Sequence, residues 1–376
     1  MNKIWFPQLL RGVAASFVLV AHLFVVPLPY MGELLGDSFL LQPSLNSANI
    51  LQRLYFFLAD NILNLGAFGV GIFFLISGFV ISFSIEKRSS LHFLLNRLFR
   101  VYPVVVVVLI ADLLIIFLYH IIKCFLTHTS PVLGLDFFST PPLHSLLNFV
   151  INGTLILRPI GGSFHVDGVL WTLEIEMLFY LLMCLVGKKV ISNYKYLLGT
   201  ALFLSMVFWL LFYRPELRDI PYLSFLFNSI PHLLLMFVGI VSYCFFKEKW
   251  EKKLIFKTLL FLLFLLIPCY LALYKSNFIL TLSYCILPMI TWAVFFVLDN
   301  NKVLTFNPYF NFLANISFSL YLTHQLLGFS LLSLLFVYLR CNIYLSIFLS
   351  ILTCLIWSVF IYYFVEKKAQ NWSRKF

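Results

Sequence analysis

Charge is what this sequence has least of. Of its 376 residues only 11% are Asp, Glu, Lys or Arg, whereas 62% are hydrophobic. A soluble globule of this size has no means of burying so much apolar surface. The sequence also lacks any polar stretch long enough to form a separate soluble domain. Composition therefore excludes a soluble protein and predicts a polytopic membrane protein.

Several sequence motifs are absent as well. The seven cysteines show no CxxC or CxxH spacing, which argues against zinc, haem attachment and a disulfide framework, and we expect no metal site. There is no Gly-rich phosphate loop. The net charge of +11 does not indicate nucleic-acid binding, because Lys and Arg lie mostly in short segments between hydrophobic runs. The first hydrophobic run has no small-residue cleavage site, so we expect it to be a retained helix.

Windows of about twenty apolar residues predict ten transmembrane helices. Helices are the expected element because open strands cannot satisfy their backbone hydrogen bonds in lipid. Basic residues concentrate in alternate connections and in the tail, so the positive-inside rule places both termini in the cytoplasm. Residues 1–376 are expected to form a single transmembrane domain. The predicted spans are 7–28, 66–85, 101–122, 169–187, 196–213, 222–246, 254–273, 278–298, 312–338 and 342–365.

Two segments outside these spans are predicted to touch the membrane. The segment 146–158 is short and polar, and counting it as a span would place Lys188 and Lys189 outside. We therefore predict a re-entrant or interfacial segment there. The outer connection carries an amphipathic run at 50–63, which we expect to lie in the interface.

The first span contains two ionisable residues, Arg11 and His22. Such groups cost several kcal/mol in lipid by most scales unless they face a protein interior or a wet cavity. Eleven residues turn a helix to within ~20° of its starting direction, so both side chains leave one face at different depths. We expect them to line a conduit, with Arg11 near the cytoplasm and His22 in the outer half. The alternative is a packing pair, with Arg11 reaching lipid phosphates and His22 bonded to a carbonyl.

A second pair of cations, Arg97 and Arg100, precedes the third span. Residues three apart share a helix face, and two guanidinium groups can bind one anion. The alternative is that these two arginines only fix the orientation of the span at the cytoplasmic face, as basic residues commonly do, since the sequence pattern would be the same.

Two further stretches carry polar groups. Glu174 and Glu176 are two residues apart, so they point to nearly opposite sides of the fourth span, and the deeper Glu176 is a candidate to orient an imidazole. Ser317, Tyr321 and His324 follow i, i+4, i+7 spacing and form one polar stripe, for which interhelical hydrogen bonding is the alternative. The remaining histidines lie mostly near span ends or in loops, where we expect interfacial or solvated roles: His92, His120, His128, His144, His165 and His232.

At these stretches the sequence resembles the membrane-bound acyltransferase family 3, the bacterial O-acyltransferases of surface glycans. Arg11 and His22 match the family's pattern of Arg, ten residues and His in the first helix, and Arg97 and Arg100 match its Arg-x-x-Arg pair. Three blocks are also similar to family signatures: FFLISGF at 73–79, WTLEIEMLFY at 171–180, which aligns the family's acidic residue with Glu176, and SFSLYLTH at 317–324.

The sequence departs from the family at two places. Glu174 stands where the family often has a small polar residue, and the tail FVEKKAQ at 364–370 is only loosely similar to the family's ending. We expect neither to touch the chemistry.

The resemblance implies transfer of an acetyl group from cytoplasmic acetyl-CoA to a sugar hydroxyl at the outer face of the bacterial inner membrane. The acceptor would be a polysaccharide or lipid-linked glycan, with lipopolysaccharide O-antigen favoured, and membrane lipid would surround the protein. Arg11, Arg97 and Arg100 would bind CoA. His22 would act as general base, held by Glu176, while Ser317, Tyr321 or His324 would stabilise the oxyanion, and Arg158 is a further substrate or oxyanion candidate.

Other mechanisms and functions stay open at this stage. A covalent acyl-enzyme fits the same residues. A transporter or flippase of a lipid-linked glycan or small anion would also use intramembrane Arg, His and Glu, although the inverted repeats and interrupted helices that favour this class are not evident.

Overall fold

The computed structural model describes residues 4–25, 57, 61–128, 151, 153–160, 168–275, 277–305 and 307–375. Within these ranges there is no strand, and ten helices are long and apolar enough to cross a membrane, which confirms the predicted all-α polytopic fold. The helices are α1 (Phe6–Val25), α2 (Leu65–Lys87), α3 (Ser90–Thr127), α4 (Trp171–Ser192), α5 (Tyr194–Tyr213), α6 (Pro221–Phe246), α7 (Lys252–Leu273), α8 (Phe278–Asn300), α9 (Pro308–Tyr338) and α10 (Ile343–Ser373).

Polar caps set several helix starts that hydropathy does not locate. The Asn64 side chain accepts a hydrogen bond from the Ala67 backbone at the start of α2. Ser89 does the same for His92 at the start of α3. Each oxygen satisfies one of the unpaired amides of the first helical turn. Because α3 begins at Ser90, well before the predicted 101, the Arg-x-x-Arg pair lies inside this helix and not in the connection before it.

Helix α1 packs most extensively against α9 and α2, and α2 in turn packs against α6. Glycines allow the α2–α6 backbones to approach closely. A Cβ added to Gly78 would lie 1.9 Å from the Met236 carbonyl oxygen, and one added to Gly239 would lie 2.3 Å from the Leu75 carbonyl oxygen. The helices that carry the site are therefore held by backbone contacts that no other residue type permits.

We expect Gly78→Ala to destabilise the protein by about 3 kcal/mol or more, because the methyl group overlaps backbone atoms that cannot move independently. The matched control is Gly199→Ala, since a Cβ there meets nothing within 4 Å. Alanine is the better helix former, so the control should be neutral or slightly stabilising. Thermal unfolding in detergent measures both effects, and equal midpoints for the two variants would contradict the packing.

The described residues of the predicted re-entrant segment are helical at 151 and 153–154, bend at 155–157 and end in a 3₁₀ turn at Arg158–Ile160. The Tyr102 hydroxyl, in the N-terminal half of α3, donates to the Thr154 carbonyl oxygen at 2.5 Å, and the Tyr222 hydroxyl of α6 donates to the Ile156 carbonyl oxygen at 3.1 Å. Leu155 is fully buried. These contacts place the segment between α3 and α6. Residues 146–150 and most of the run 50–63 lie outside the described residues.

Candidate active site

Three arginines from two helices line one cavity. Arg11 comes from α1, whereas Arg97 and Arg100 share a face of α3. The cavity holds about 890 Å³ of empty space, including its mouth. Its other walls are mainly apolar residues of α2, the first turns of α4, and the α9 stripe at Ser317 and Tyr321.

These guanidinium groups are incompletely neutralised. Among the described residues no carboxylate lies within ion-pair distance of any of the three. Arg97 is only 6% exposed, and its Cζ lies 5.7 Å and 5.8 Å from the ring centroids of Phe93 and Tyr180. Its Nε has no hydrogen-bond partner within the described part of the chain. A buried cation with an open donor is costly unless a ligand completes it, so the cavity is suited to an anion.

Two carboxylates, beyond ion-pair distance of the arginines, interact with Arg11 electrostatically. Glu176 accepts hydrogen bonds from Ser77 Oγ at 3.0 Å and Tyr180 Oη at 2.7 Å. Glu366 is 1% exposed and accepts from Ser319 Oγ at 2.6 Å. Three formal positive charges thus face two negative charges. The net charge of +1 favours the binding of an anion, while the two carboxylates reduce the cost of burying three arginines together.

Glu366 was missed by the sequence analysis. It belongs to the tail that was expected not to touch the chemistry, and the structure places it close enough to Arg11 and Arg100 to interact with them electrostatically. Helix α10 continues beyond the predicted end at 365, through a π-helical turn at Tyr362–Glu366, to Ser373. The available signal was a single acidic residue directly after the last hydrophobic run and before the basic residues of the tail.

His22 contacts His324 and not Glu176. His22 Nδ1 lies 2.9 Å from His324 Nε2 and 3.1 Å from the Val18 carbonyl oxygen. The predicted contact between Glu176 and His22 is wrong because of depth. Thr172 Oγ1 is bonded to the Tyr321 hydroxyl at 2.8 Å, so α4 begins at the level of Tyr321, and Glu176 lies one turn farther toward the arginines.

The hydrogen-bond network assigns the tautomers of the histidine pair. His324 Nδ1 lies 2.8 Å from the Tyr321 carbonyl oxygen and 3.0 Å from that of Leu320. Carbonyl oxygens only accept, so Nδ1 carries the hydrogen and Nε2 of the neutral ring is an acceptor. His22 Nδ1–H then donates to His324 Nε2. His22 Nε2 therefore keeps its lone pair, as a general base requires.

The hydroxyl groups of the polar stripe are already engaged. Ser317 Oγ donates to the Ala314 carbonyl oxygen at 2.8 Å. The Tyr321 hydroxyl accepts from Thr172 and donates to the Val169 carbonyl oxygen at 3.2 Å. A hydroxyl has only one hydrogen to give. Both residues line the cavity, but in this arrangement each hydroxyl hydrogen is directed to a carbonyl oxygen, and a role in stabilising an oxyanion stays a prediction.

Arg158 lies away from the arginine cavity. Its Nη1 is 2.5 Å from Glu174 Oε1, and both side chains are buried. Glu174 faces away from the cavity that Glu176 lines, as the two-residue spacing predicted. The re-entrant segment thus places Arg158 on the face of α4 opposite the arginine cavity, and its role as a substrate or oxyanion residue stays a prediction.

A family model described as an acyltransferase domain matches residues 4–363 and so spans all the motifs named above. The chain belongs to the acyltransferase 3 family. Searches of curated proteins and of solved structures found no match. This acyltransferase is thus a multi-pass membrane protein and an acyl-transferring enzyme.

The tautomer assignment makes a prediction for His324 in this acyltransferase. We expect His324→Ala to lower acyl transfer about tenfold to a hundredfold, because His22 loses the acceptor that orients it. His324→Gln should retain more activity than the alanine variant, since its Oε1 can accept from His22 Nδ1. Initial rates at matched protein levels in proteoliposomes test this. Equal loss in the two variants, with equal thermal stability, would contradict the assignment.

Proposed function

We propose that this acyltransferase moves an acetyl group from cytoplasmic acetyl-CoA to a sugar hydroxyl of a surface polysaccharide. The reaction would occur at the outer face of the bacterial inner membrane, with lipopolysaccharide O-antigen as the acceptor. One observation carries the proposal: a single cavity joins the three arginines to Tyr321, whose ring centroid lies 5.8 Å from that of His324, the partner of His22. The arginines thus lie at one end of this cavity, and Tyr321, in its wall, is the neighbour of the histidine pair.

The arginines would bind the phosphates of CoA. Arg97 and Arg100 share a helix face, and guanidinium groups bind phosphate oxygens in pairs. The pantetheine arm is uncharged, so it is compatible with the apolar wall formed by Phe73, Ile76 and Val80. Because the phosphates stay with the arginines, only a neutral acyl thioester has to reach the outer half of the membrane.

His22 Nε2 would remove the proton from the attacking hydroxyl. The sugar oxygen bonds to the thioester carbonyl carbon, the C–S bond breaks, and the proton passes from His22 to the departing CoA sulfur. His324 Nε2 accepts the hydrogen of His22 Nδ1 throughout, and so stabilises the imidazolium that forms. A positioned general base contributes about 10²- to 10⁴-fold to such a reaction.

Purified protein in nanodiscs, supplied with acetyl-CoA labelled in the acetyl group and delipidated O-polysaccharide, tests the proposal. We expect label on the glycan, with an equal amount of free CoA. Propionyl-CoA and succinyl-CoA, offered in competition, test whether acetyl is preferred. A transporter would bind or move the glycan without cleaving the thioester, so the absence of both products would refute the enzyme assignment.

A further inference from the structure

A second cavity lies on the other face of α4 and holds about 760 Å³ of empty space. Trp171 and Glu174 at the start of α4, Asn228 and His232 of α6, and Tyr274 directly after α7 line it. The first residues of α4 and the end of α7 lie on the side of the membrane opposite the two termini. By the positive-inside rule this is the outer side.

Flat aromatic rings form much of this second cavity. Tyr274 stacks on Tyr284 with ring centroids 5.1 Å apart and planes 5° from parallel, and Tyr284 stacks on Tyr270 at 6.4 Å. The Trp171 ring lies 5.6 Å from that of His232. Such faces are hydrophobic and electron-rich, so they pack well against C–H groups. The stack also keeps Tyr274 in one orientation, as a preformed binding surface requires.

Hydrogen-bonding groups remain available beside these rings. His232 is 2% exposed, and its Nδ1 lies 2.8 Å from the Tyr270 hydroxyl, so Nε2 has no partner among the described residues. This corrects the expectation of an interfacial or solvated role for His232. Asn228 Nδ2 donates to the Ser224 carbonyl oxygen at 2.9 Å, which leaves Oδ1 as an acceptor. The cavity therefore combines apolar faces with separate hydrogen-bonding groups.

The charge of the second cavity is balanced internally. The Glu174 carboxylate is paired with Arg158 at 2.5 Å, and both side chains are buried. An anionic ligand would have to compete with Glu174 for Arg158, and a cationic one with Arg158 for Glu174. A neutral ligand with many hydroxyl groups and an apolar face can bind without breaking the ion pair between Arg158 and Glu174. A pyranose ring has this chemistry.

We propose that the second cavity is a subsite for a sugar residue of the acceptor chain, adjacent to the sugar that is acylated. The proposal rests on the proposed function. His22 does not line this cavity, and Phe74 stands beside it, with ring centroids 4.9 Å from His232 and 6.3 Å from Trp171. A ring bound there is separated from the first cavity by Phe74 and the first turn of α4. The acceptor is therefore an oligosaccharide, bound at two positions.

Trp171→Ala and Trp171→Phe test the subsite, with Trp372→Ala as the control because Trp372 is 47% exposed on α10. The probes are the cell's own surface polysaccharide, depolymerised and separated into monosaccharide and oligosaccharide fractions. For Trp171→Ala we expect KM for oligosaccharides to rise at least tenfold, while kcat and the KM for acetyl-CoA stay within twofold. Trp171→Phe should restore most of the affinity, and transfer to the monosaccharide should be the same in all variants.

Equilibrium dialysis of end-labelled oligosaccharide separates this proposal from the proposed function. Wild-type binding that Trp171→Ala abolishes, without acetyl transfer to any fraction, would refute the enzyme assignment and support the glycan site. Acetyl transfer with an oligosaccharide KM unchanged in Trp171→Ala would refute the subsite alone. An equal rise in KM for the monosaccharide would also refute it, because a neighbouring-sugar site cannot affect that acceptor.

Discussion

Replacing His22 with alanine is expected to lower acyl transfer about 10²- to 10⁴-fold, the usual contribution of a positioned general base. His22 is the only one of the two paired imidazoles that keeps a free Nε2 lone pair, because His324 uses Nδ1 for carbonyl oxygens and Nε2 for His22. Within the described part of the chain, the backbone contact of the His22 ring is that to the Val18 carbonyl oxygen, in the same helix. The loss should therefore fall on kcat, with little change in donor affinity.

The rate of labelled acetyl transfer at saturating acetyl-CoA measures this effect. His92→Ala is the matched control, since His92 is an exposed histidine at the first turn of α3 and does not line the cavity. Near-normal activity of His22→Ala at equal protein level and equal thermal stability would exclude His22 as the base. Full activity of both His22→Ala and His324→Ala would exclude any catalytic role for the histidine pair.

Arg97→Ala is expected to weaken donor binding about 30-fold or more, which corresponds to the ~2 kcal/mol or more for truncating one side of a buried charge pair. Arg97 is the most buried of the three cavity arginines, and its Nε has no partner among the described residues. Arg97→Lys should restore little of the affinity, because an ammonium group cannot bind two phosphate oxygens in the plane of a guanidinium.

Isothermal titration with desulfo-CoA, which cannot react, measures the affinity directly. Arg88→Ala is the control, because Arg88 lies near the same end of the bundle, donates to Ser84 Oγ and does not line the cavity. Without donor, Arg97→Ala should be as stable as wild type or more so, since an unneutralised buried cation is removed. Unchanged desulfo-CoA affinity, with a lower kcat, would place Arg97 in the chemical step and contradict the donor site.

Periodicity predicted directions around helices well. The two-residue spacing of Glu174 and Glu176 correctly indicated that they leave opposite faces of α4, and the three-residue spacing of Arg97 and Arg100 correctly indicated that they share one. It predicted relative depth poorly. The contact expected between Glu176 and His22 is not formed. It would require α4 to begin nearer the outer side, whereas the hydrogen bond between Thr172 and Tyr321 fixes the start of α4 at the level of Tyr321. Depth depends on caps and on interhelical packing, which a pattern along one helix does not contain.

The sequence by itself determined the membrane class, the ten spans and the four polar stretches that interrupt them, because apolar length and helical spacing are local properties of the chain. Only the tertiary structure decided that His324 contacts His22, that Glu366 lies near Arg11 and Arg100, and that His232 lines the second cavity. Each of these joins residues from different helices. Whether these residues come into contact depends on how closely the helix backbones pack, as at Gly78 and Gly239. Such packing is a property of the whole bundle.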